Sequence, residues 1–243
     1  MIKNISEIEN KEYNSIKKKP IKERMDIFVP DIPSYMSNRN GMVYILTGSG
    51  GSGKSSLLLN FFKTKEIYRC KFDNIYYFCP ESSFSSIEKH PFEKHDKIYH
   101  ELTTLNLLDI YEELDNIKQT SKNPEYSLII IDDFANSLKE NDIVETLNKF
   151  VIKARHLCVG FIFCLQIYNY LPKIIRKQLT YATIFKPKSL SEWYSVSEEL
   201  MNLKKDDALK IYNYVYNQPY AHLDVDLINN IYYKNFNKLE FKD

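Results

Sequence analysis

The chain has 243 residues, of which 44% are hydrophobic and 27% charged, with a formal net charge of +1. That balance excludes a disordered or strongly polybasic protein and suits one α/β domain large enough to bury a substantial core. No apolar stretch approaches the length of a membrane span, and the first residues carry no signal-peptide core.

Residues 1–37 are polar, with Lys17-Lys18-Lys19-Pro20, Lys22 and Arg24 followed by Pro30 and Pro33. They are expected to form a solvated arm or an interface segment, with a basic arm on a phosphate backbone as the alternative. From 38 to 243 the chain is expected to form a single domain that ends in a helical and strand extension.

Met42-Val43-Tyr44-Ile45-Leu46 is a short buried-strand pattern. Gly48-Ser49-Gly50-Gly51-Ser52-Gly53-Lys54-Ser55 follows, and then the helix-like Ser56-Leu57-Leu58-Leu59-Asn60-Phe61-Phe62. Strand, Gly-rich turn and helix start are the context of a phosphate-binding loop. Glycines let successive N–H groups point at phosphate oxygens, and the helix start adds unpaired N–H groups and a positive dipole end. Residues 48–56 are therefore the candidate nucleotide-binding set. Within it, Lys54 reaches toward the β- and γ-phosphates and Ser55 offers a hydroxyl to Mg²⁺.

Asn74 to Pro80 is a second apolar strand, closed by proline. Residues 81–100 are rich in Ser, His and Lys and are expected to be a surface excursion. His90, His95 and His100 suit no single helix face and no zinc-ligand spacing. Leu102 to Ile117 has the apolar spacing of a helix packed on the sheet.

Tyr126 to Ile131 is a central strand that ends in Asp132-Asp133. Two carboxylates there fall where an open parallel sheet places its ligand crevice. Asp132 is expected to hold Mg²⁺ through its water shell, and Asp133 to orient and polarise an attacking water. Glu140 to His156 repeats apolar residues on one helix face. The strand Val159 to Leu165 then ends in Gln166, a candidate contact for the γ-phosphate or the attacking water.

Pro172 opens a short helix containing Arg176, and Tyr181 to Phe185 is a further strand. Ser189-Leu190-Ser191-Glu192 has the form of a capping box. A helix from Asp206 through Val215 and a last strand within 220–225 are expected after it. Cys70, Cys79, Cys158 and Cys164 form no C-x-x-C pair and are expected to be reduced thiols.

The series Gly48–Ser55, Asp132-Asp133, Arg155-His156, Gln166 and Leu171-Pro172 to Arg176 resembles the FtsK/HerA-type ATPases. Within these it is most similar to the DNA-packaging ATPases of large double-stranded DNA viruses and virophages, the poxvirus-like branch. The resemblance implies an α/β, three-layer P-loop NTPase with a RecA-like additional-strand core. That core has a mostly parallel sheet of strand order 5-1-4-3-2. It further implies ATP hydrolysis with Mg²⁺ at the subunit interfaces of a homo-oligomeric ring, expected as a hexamer, that pumps double-stranded DNA. Lys54 and Ser55 match the Walker-A lysine and serine, Asp132 the Walker-B aspartate, Asp133 the catalytic acid and Gln166 the polar sensor. Arg176 falls where an arginine acting across the interface is expected, with Arg155 as the competing candidate.

Cellular members carry glutamate after the Walker-B aspartate, whereas the viral branch is similar to this chain in using Asp-Asp. The membrane and DNA-reading domains of the cellular translocases are not expected. A capsid or portal-vertex partner and work at the virion assembly site in host cytoplasm, with virion association open, follow from the same resemblance. Candidate DNA grips are the loop from Phe134 to Asn141, containing Lys139, and the 81–100 segment. The rival readings are a nucleoside or small-molecule kinase and a nucleotide-gated adaptor without turnover. The Asp-Asp strand beside a strand ending in Gln166 favours water activation over both.

Overall fold

Val43–Thr47, Ser127–Asp132 and Val159–Leu165 are buried along their whole length, as strands covered on both faces must be. The computed structural model describes residues 4–8, 40–64, 67–87 and 90–242. The expected basic stretch from Lys17 to Arg24 and the prolines after it lie outside the described residues.

In chain order the elements are β1 (Asn4–Ile8), β2 (Val43–Thr47), α1 (Lys54–Lys63), β3 (Asn74–Phe78), α2 (Glu81–Ser85), β4 (Ile98–Tyr99) and α3 (Thr104–Thr120). They continue with β5 (Ser127–Asp132), α4 (Asn141–Ile152), β6 (Val159–Leu165), α5 (Lys173–Arg176), β7 (Tyr181–Phe185) and α6 (Leu190–Met201). The last are α7 (Lys205–Val215), β8 (His222–Asp226), β9 (Ile231–Lys234) and β10 (Asn237–Lys242).

All ten strands join one sheet in the order β1-β10-β9-β8-β7-β2-β6-β5-β3-β4. The centre, β7-β2-β6-β5-β3, is parallel throughout. Numbered from the phosphate-loop strand, these five stand in the order 5-1-4-3-2. The whole sheet differs from that five-strand expectation by its flanks. β4 adds a parallel strand at one edge, and β8, β9, β10 and β1 add four antiparallel strands at the other.

Alternation along each central strand divides the core. Val43 and Ile45 face α3, α4, α6 and α7, while Tyr44 and Leu46 face α1 and the 67–92 segment. Three layers result. Trp193, fully buried on α6, donates Nε1–H to the Ala208 carbonyl at 2.8 Å and so locks α6 to α7. Ser189 caps α6 by accepting from Glu192 N at 3.1 Å, as its capping-box pattern predicts.

Two stretches depart from the sequence reading. The 81–100 segment is not a simple surface excursion, because His90 and Phe92 are buried and stack with Phe84 and Tyr77. The tail carries a β9–β10 hairpin in addition to the expected strand, turned at Asn235 and Phe236, which both have positive φ. β1, at the start of the expected arm, pairs with β10 instead of standing free. Among the described residues no helix is long and apolar enough to cross a membrane.

Candidate nucleotide site

The site lies at the carboxyl end of the parallel strands, where β2, β5 and β6 release their loops. These loops are tied at the root. Gly48 N donates to Leu165 O at 3.2 Å, and Asp133 N donates to Cys164 O at 3.0 Å. One strand end, that of β6, therefore fixes both the phosphate loop and the Asp-Asp turn.

Within the loop, Gly48 has φ 153° and packs so closely on Phe185 that an added Cβ would lie 2.5 Å from the Phe185 Cβ. Gly53 precedes α1 with φ 103°, a left-handed conformation that costs glycine little. Lys54 is buried, and its ammonium donates back to the carbonyls of Gly48 at 2.6 Å and Ser49 at 3.0 Å. Those two bonds hold the charge over the loop. The Ser52 hydroxyl is buried without a hydrogen-bond partner, an orphan that a phosphate oxygen would satisfy. The residues fit a nucleoside triphosphate.

Asp132 is only 5% exposed. Burial, with a smaller push from Asp133, raises its carboxyl above the ordinary range, while hydrogen bonds from Cys164 and Tyr77 and the charge of Lys54 pull it back. The Tyr77 hydroxyl donates to Asp132 Oδ2 at 3.1 Å. Cys164, fully buried beneath the site, contacts both Asp132 and the Ser55 hydroxyl, and burial pushes its thiol well up. Ser55 and Asp132 thus converge on one sulfur. A hydroxyl and a carboxylate are hard oxygen donors, the set that suits Mg²⁺ when most of its shell is water and phosphate.

Asp133 is exposed and has φ 63°, so the chain turns sharply as β5 ends. The turn brings its carboxylate to Gln166 Nε2, which donates to Asp133 Oδ1 at 3.1 Å. A carboxylate acceptor and an amide beside a phosphate loop can bind and polarise a water between them.

The two arginines are not brought to this loop. Arg176 Nε pairs with Glu199 at 3.0 Å, its Nη1 donates to Leu171 O at 3.0 Å, and its guanidinium stacks over Tyr168. It pins the connection that follows Gln166. Arg155 packs on Gly41 just before β2, at the sheet end opposite the phosphate loop. Sequence reasoning missed Tyr77 and Cys164 as partners of Asp132. Their one signal was the small or aromatic polar residue near the end of an apolar strand.

A family model described as Poxvirus A32 protein matches residues 36–235. No curated protein matches the chain. Among solved structures, the DNA-packaging ATPase B204 from Sulfolobus Turreted Icosahedral Virus superposes with a TM-score of 0.59 at 17% identity, covering 81% of this chain and 98% of that one. The genome packaging NTPase B204 from Sulfolobus turreted icosahedral virus 2, in complex with AMPPCP, gives 0.54 at 20% identity over 81% and 97%. Thermomonospora curvata EccC (ATPases 2 and 3) gives 0.53 at 10% identity, covering 83% of this chain and 37% of that one. At such identities the likeness speaks to the fold.

Proposed function

The chain belongs to the Poxvirus A32 protein family, and from that membership and the site geometry we propose that it hydrolyses ATP to drive double-stranded DNA into a viral capsid. The observation that carries the reading is the Asp133–Gln166 hydrogen bond beside the phosphate loop. It pairs a water-activating carboxylate with a sensor amide on adjacent strands, which serves hydrolysis and not transfer to a small acceptor. The B204 proteins that share the fold are packaging NTPases, one of them solved with AMPPCP, and this supports ATP as the fuel.

Lys54, loop N–H groups and the start of α1 bind and neutralise the phosphates. Ser55 and Asp132 are the residues that would hold Mg²⁺, which would supply charge neutralisation at the phosphates. Asp133 accepts the proton of the attacking water while Gln166 orients it. When Lys54 turns to a phosphate it leaves the Gly48 and Ser49 carbonyls, so nucleotide arrival itself rearranges the loop.

A homo-oligomeric ring, hexameric in this reading, would complete the site with a neighbour's arginine. Arg176 is the better candidate, because Arg155 lies at the wrong end of the sheet, and its use would require release from Glu199. A capsid or portal-vertex protein is the further partner, and the virion assembly site in host cytoplasm is the place of work.

The test is the ATPase rate with and without linear double-stranded DNA, across protein concentrations and at two salt levels. Stimulation that rises steeply with protein concentration and weakens with salt is the expected result. Turnover indifferent to DNA at every concentration would remove the motor reading.

A further inference from the structure

Beside the phosphate loop lies a cleft of 460 Å³ that the chemistry of hydrolysis does not use. One wall is the loop itself at Ser49–Ser52. The other is the end of β7, at Phe185 and Lys186, together with the connection 216–221 that leads from α7 to β8.

The connection is anchored from two sides. The buried Tyr216 donates its hydroxyl to Ile184 O at 2.9 Å, and Asn217 Oδ1 accepts from Lys234 Nζ at 3.2 Å. Between these anchors and β8, Tyr220 stands out. It is 71% exposed and has φ 60°, a region that a bulky side chain seldom occupies. Backbone outliers of this kind collect at ligand clamps. Its ring edge lies 3.5 Å from where a side chain on Gly53 would begin, beside the start of α1. An exposed aromatic ring is thus held next to the phosphate-binding end of the cleft by a fixed, strained connection.

We propose that Tyr220 is the stacking platform for the base of the bound nucleotide, with the cleft taking base and ribose. The proposal rests on the nucleotide reading of the phosphate loop and extends it to the rest of the ligand. A triphosphate seated on Lys54 leaves its nucleoside to run along this cleft, which opens directly from Ser49–Ser52. Among the described lining residues none is a carboxylate, so nothing there repels a polyanion. Gln218 and Lys186, both exposed, give the rim polar character. Stacking on a ring reads the π-face, so a second purine nucleotide, GTP, should bind within a few-fold of ATP.

The experiment is calorimetric titration of the full chain with Mg²⁺–ATP, Mg²⁺–GTP and Mg²⁺–tripolyphosphate, for wild type, Tyr220→Phe and Tyr220→Ala. Tyr220→Ala should weaken ATP roughly five- to 150-fold, the range for loss of one base–aromatic stack, and leave tripolyphosphate unchanged. Tyr220→Phe should bind ATP as wild type does. Equal loss for ATP and tripolyphosphate, no loss for ATP, or a Tyr220→Phe as weak as Tyr220→Ala would each overturn the stacking role. If wild type binds neither ATP nor tripolyphosphate, the phosphate-loop reading itself falls, an outcome distinct from the failure of Tyr220 alone.

Discussion

Tyr77 and Asp132 are joined across adjacent parallel strands, the tyrosine hydroxyl on β3 donating to the carboxylate at the end of β5 over 3.1 Å. The ring behind that hydroxyl is packed by Phe84, His90 and Phe92. Burial lowers His90 to about 4, so the packing stays uncharged at neutral pH. Phe84, His90 and Phe92 therefore bear, through Tyr77, on the carboxylate expected to hold Mg²⁺.

Tyr77→Phe keeps the ring and removes the donor. The expected outcome is a Mg²⁺ requirement raised about ten-fold or more, as when other outer partners of a metal-holding carboxylate are lost. Thermal stability should fall by only about 1 kcal/mol. Magnesium titration of ATP turnover, read beside a melting curve, checks both. Tyr77→Ala should instead cost about 3–5 kcal/mol, because it empties the aromatic cluster.

Asp132 gives a prediction with a definite sign. Its carboxyl is raised in the folded protein, so the folded state holds this proton more tightly than the unfolded chain does. The stability it contributes is fully present below the ordinary carboxylate range and is lost as pH rises through the raised value. Asp132→Asn should therefore make the nucleotide-free protein more stable at neutral pH and flatten that part of the pH–stability curve. It should lower Mg²⁺-dependent turnover by on the order of 10²-fold or more. Melting temperatures from pH 4 to 8 test the first part and a turnover assay the second.

Asp133→Ala should lose about 10²–10⁴-fold in hydrolysis while binding ATP as wild type does. Gln166→Ala should show a smaller loss of the same kind, since it orients a water that Asp133 still activates. The pair share one hydrogen bond, so the double variant should be little worse than Asp133→Ala. Single-turnover hydrolysis beside nucleotide titration separates the steps, and near-normal turnover of Asp133→Ala would remove it from the mechanism.

The phosphate-loop glycines should divide. Gly48→Ala drives a methyl against Phe185 and should cost about 1–3 kcal/mol before any nucleotide is added. Gly50 has open space at the same position, so Gly50→Ala should melt within about 0.5 kcal/mol of wild type. Denaturation of the two nucleotide-free variants is enough to decide.

How much of this was legible follows from where each signal sits. Gly48–Ser55, Asp132-Asp133 and Gln166 are local: an apolar strand, a turn and a polar residue at its end are read within a dozen positions. The five-strand centre follows from the same runs, because strands buried on both faces show unbroken apolar stretches. The Tyr77–Asp132 bond joins residues 55 positions apart, and only the pairing of β3 with β5 brings them together. Arg176 reads in sequence as a candidate to act across an interface, yet Glu199 and the carbonyl of Leu171 occupy it. The β9–β10 hairpin was hidden because its turn uses Asn235 and Phe236, and a phenylalanine at positive φ carries no turn signal. His90 and Phe92 sit in a polar stretch whose burial depends on packing against β3.

The two loops rooted at Asp133 and Gln166 meet again at their tips, where Lys139 Nζ lies 5.5 Å from the centre of the Tyr170 ring. Lys139 is exposed there and Tyr170 is 37% exposed, so an anionic backbone can reach the cation. If this tip grips DNA, a change at the Asp133–Gln166 bond is passed to it through two short, tethered connections. Lys139→Glu should then weaken stimulation of hydrolysis by DNA about ten-fold and lower the salt dependence of DNA binding by about one phosphate contact. ATP affinity without DNA should stay at the wild-type value, since Lys139 touches no residue of the phosphate loop. Loss of ATP affinity together with DNA stimulation would instead place Lys139 in the folding of the site, and an unchanged salt slope would move the grip elsewhere.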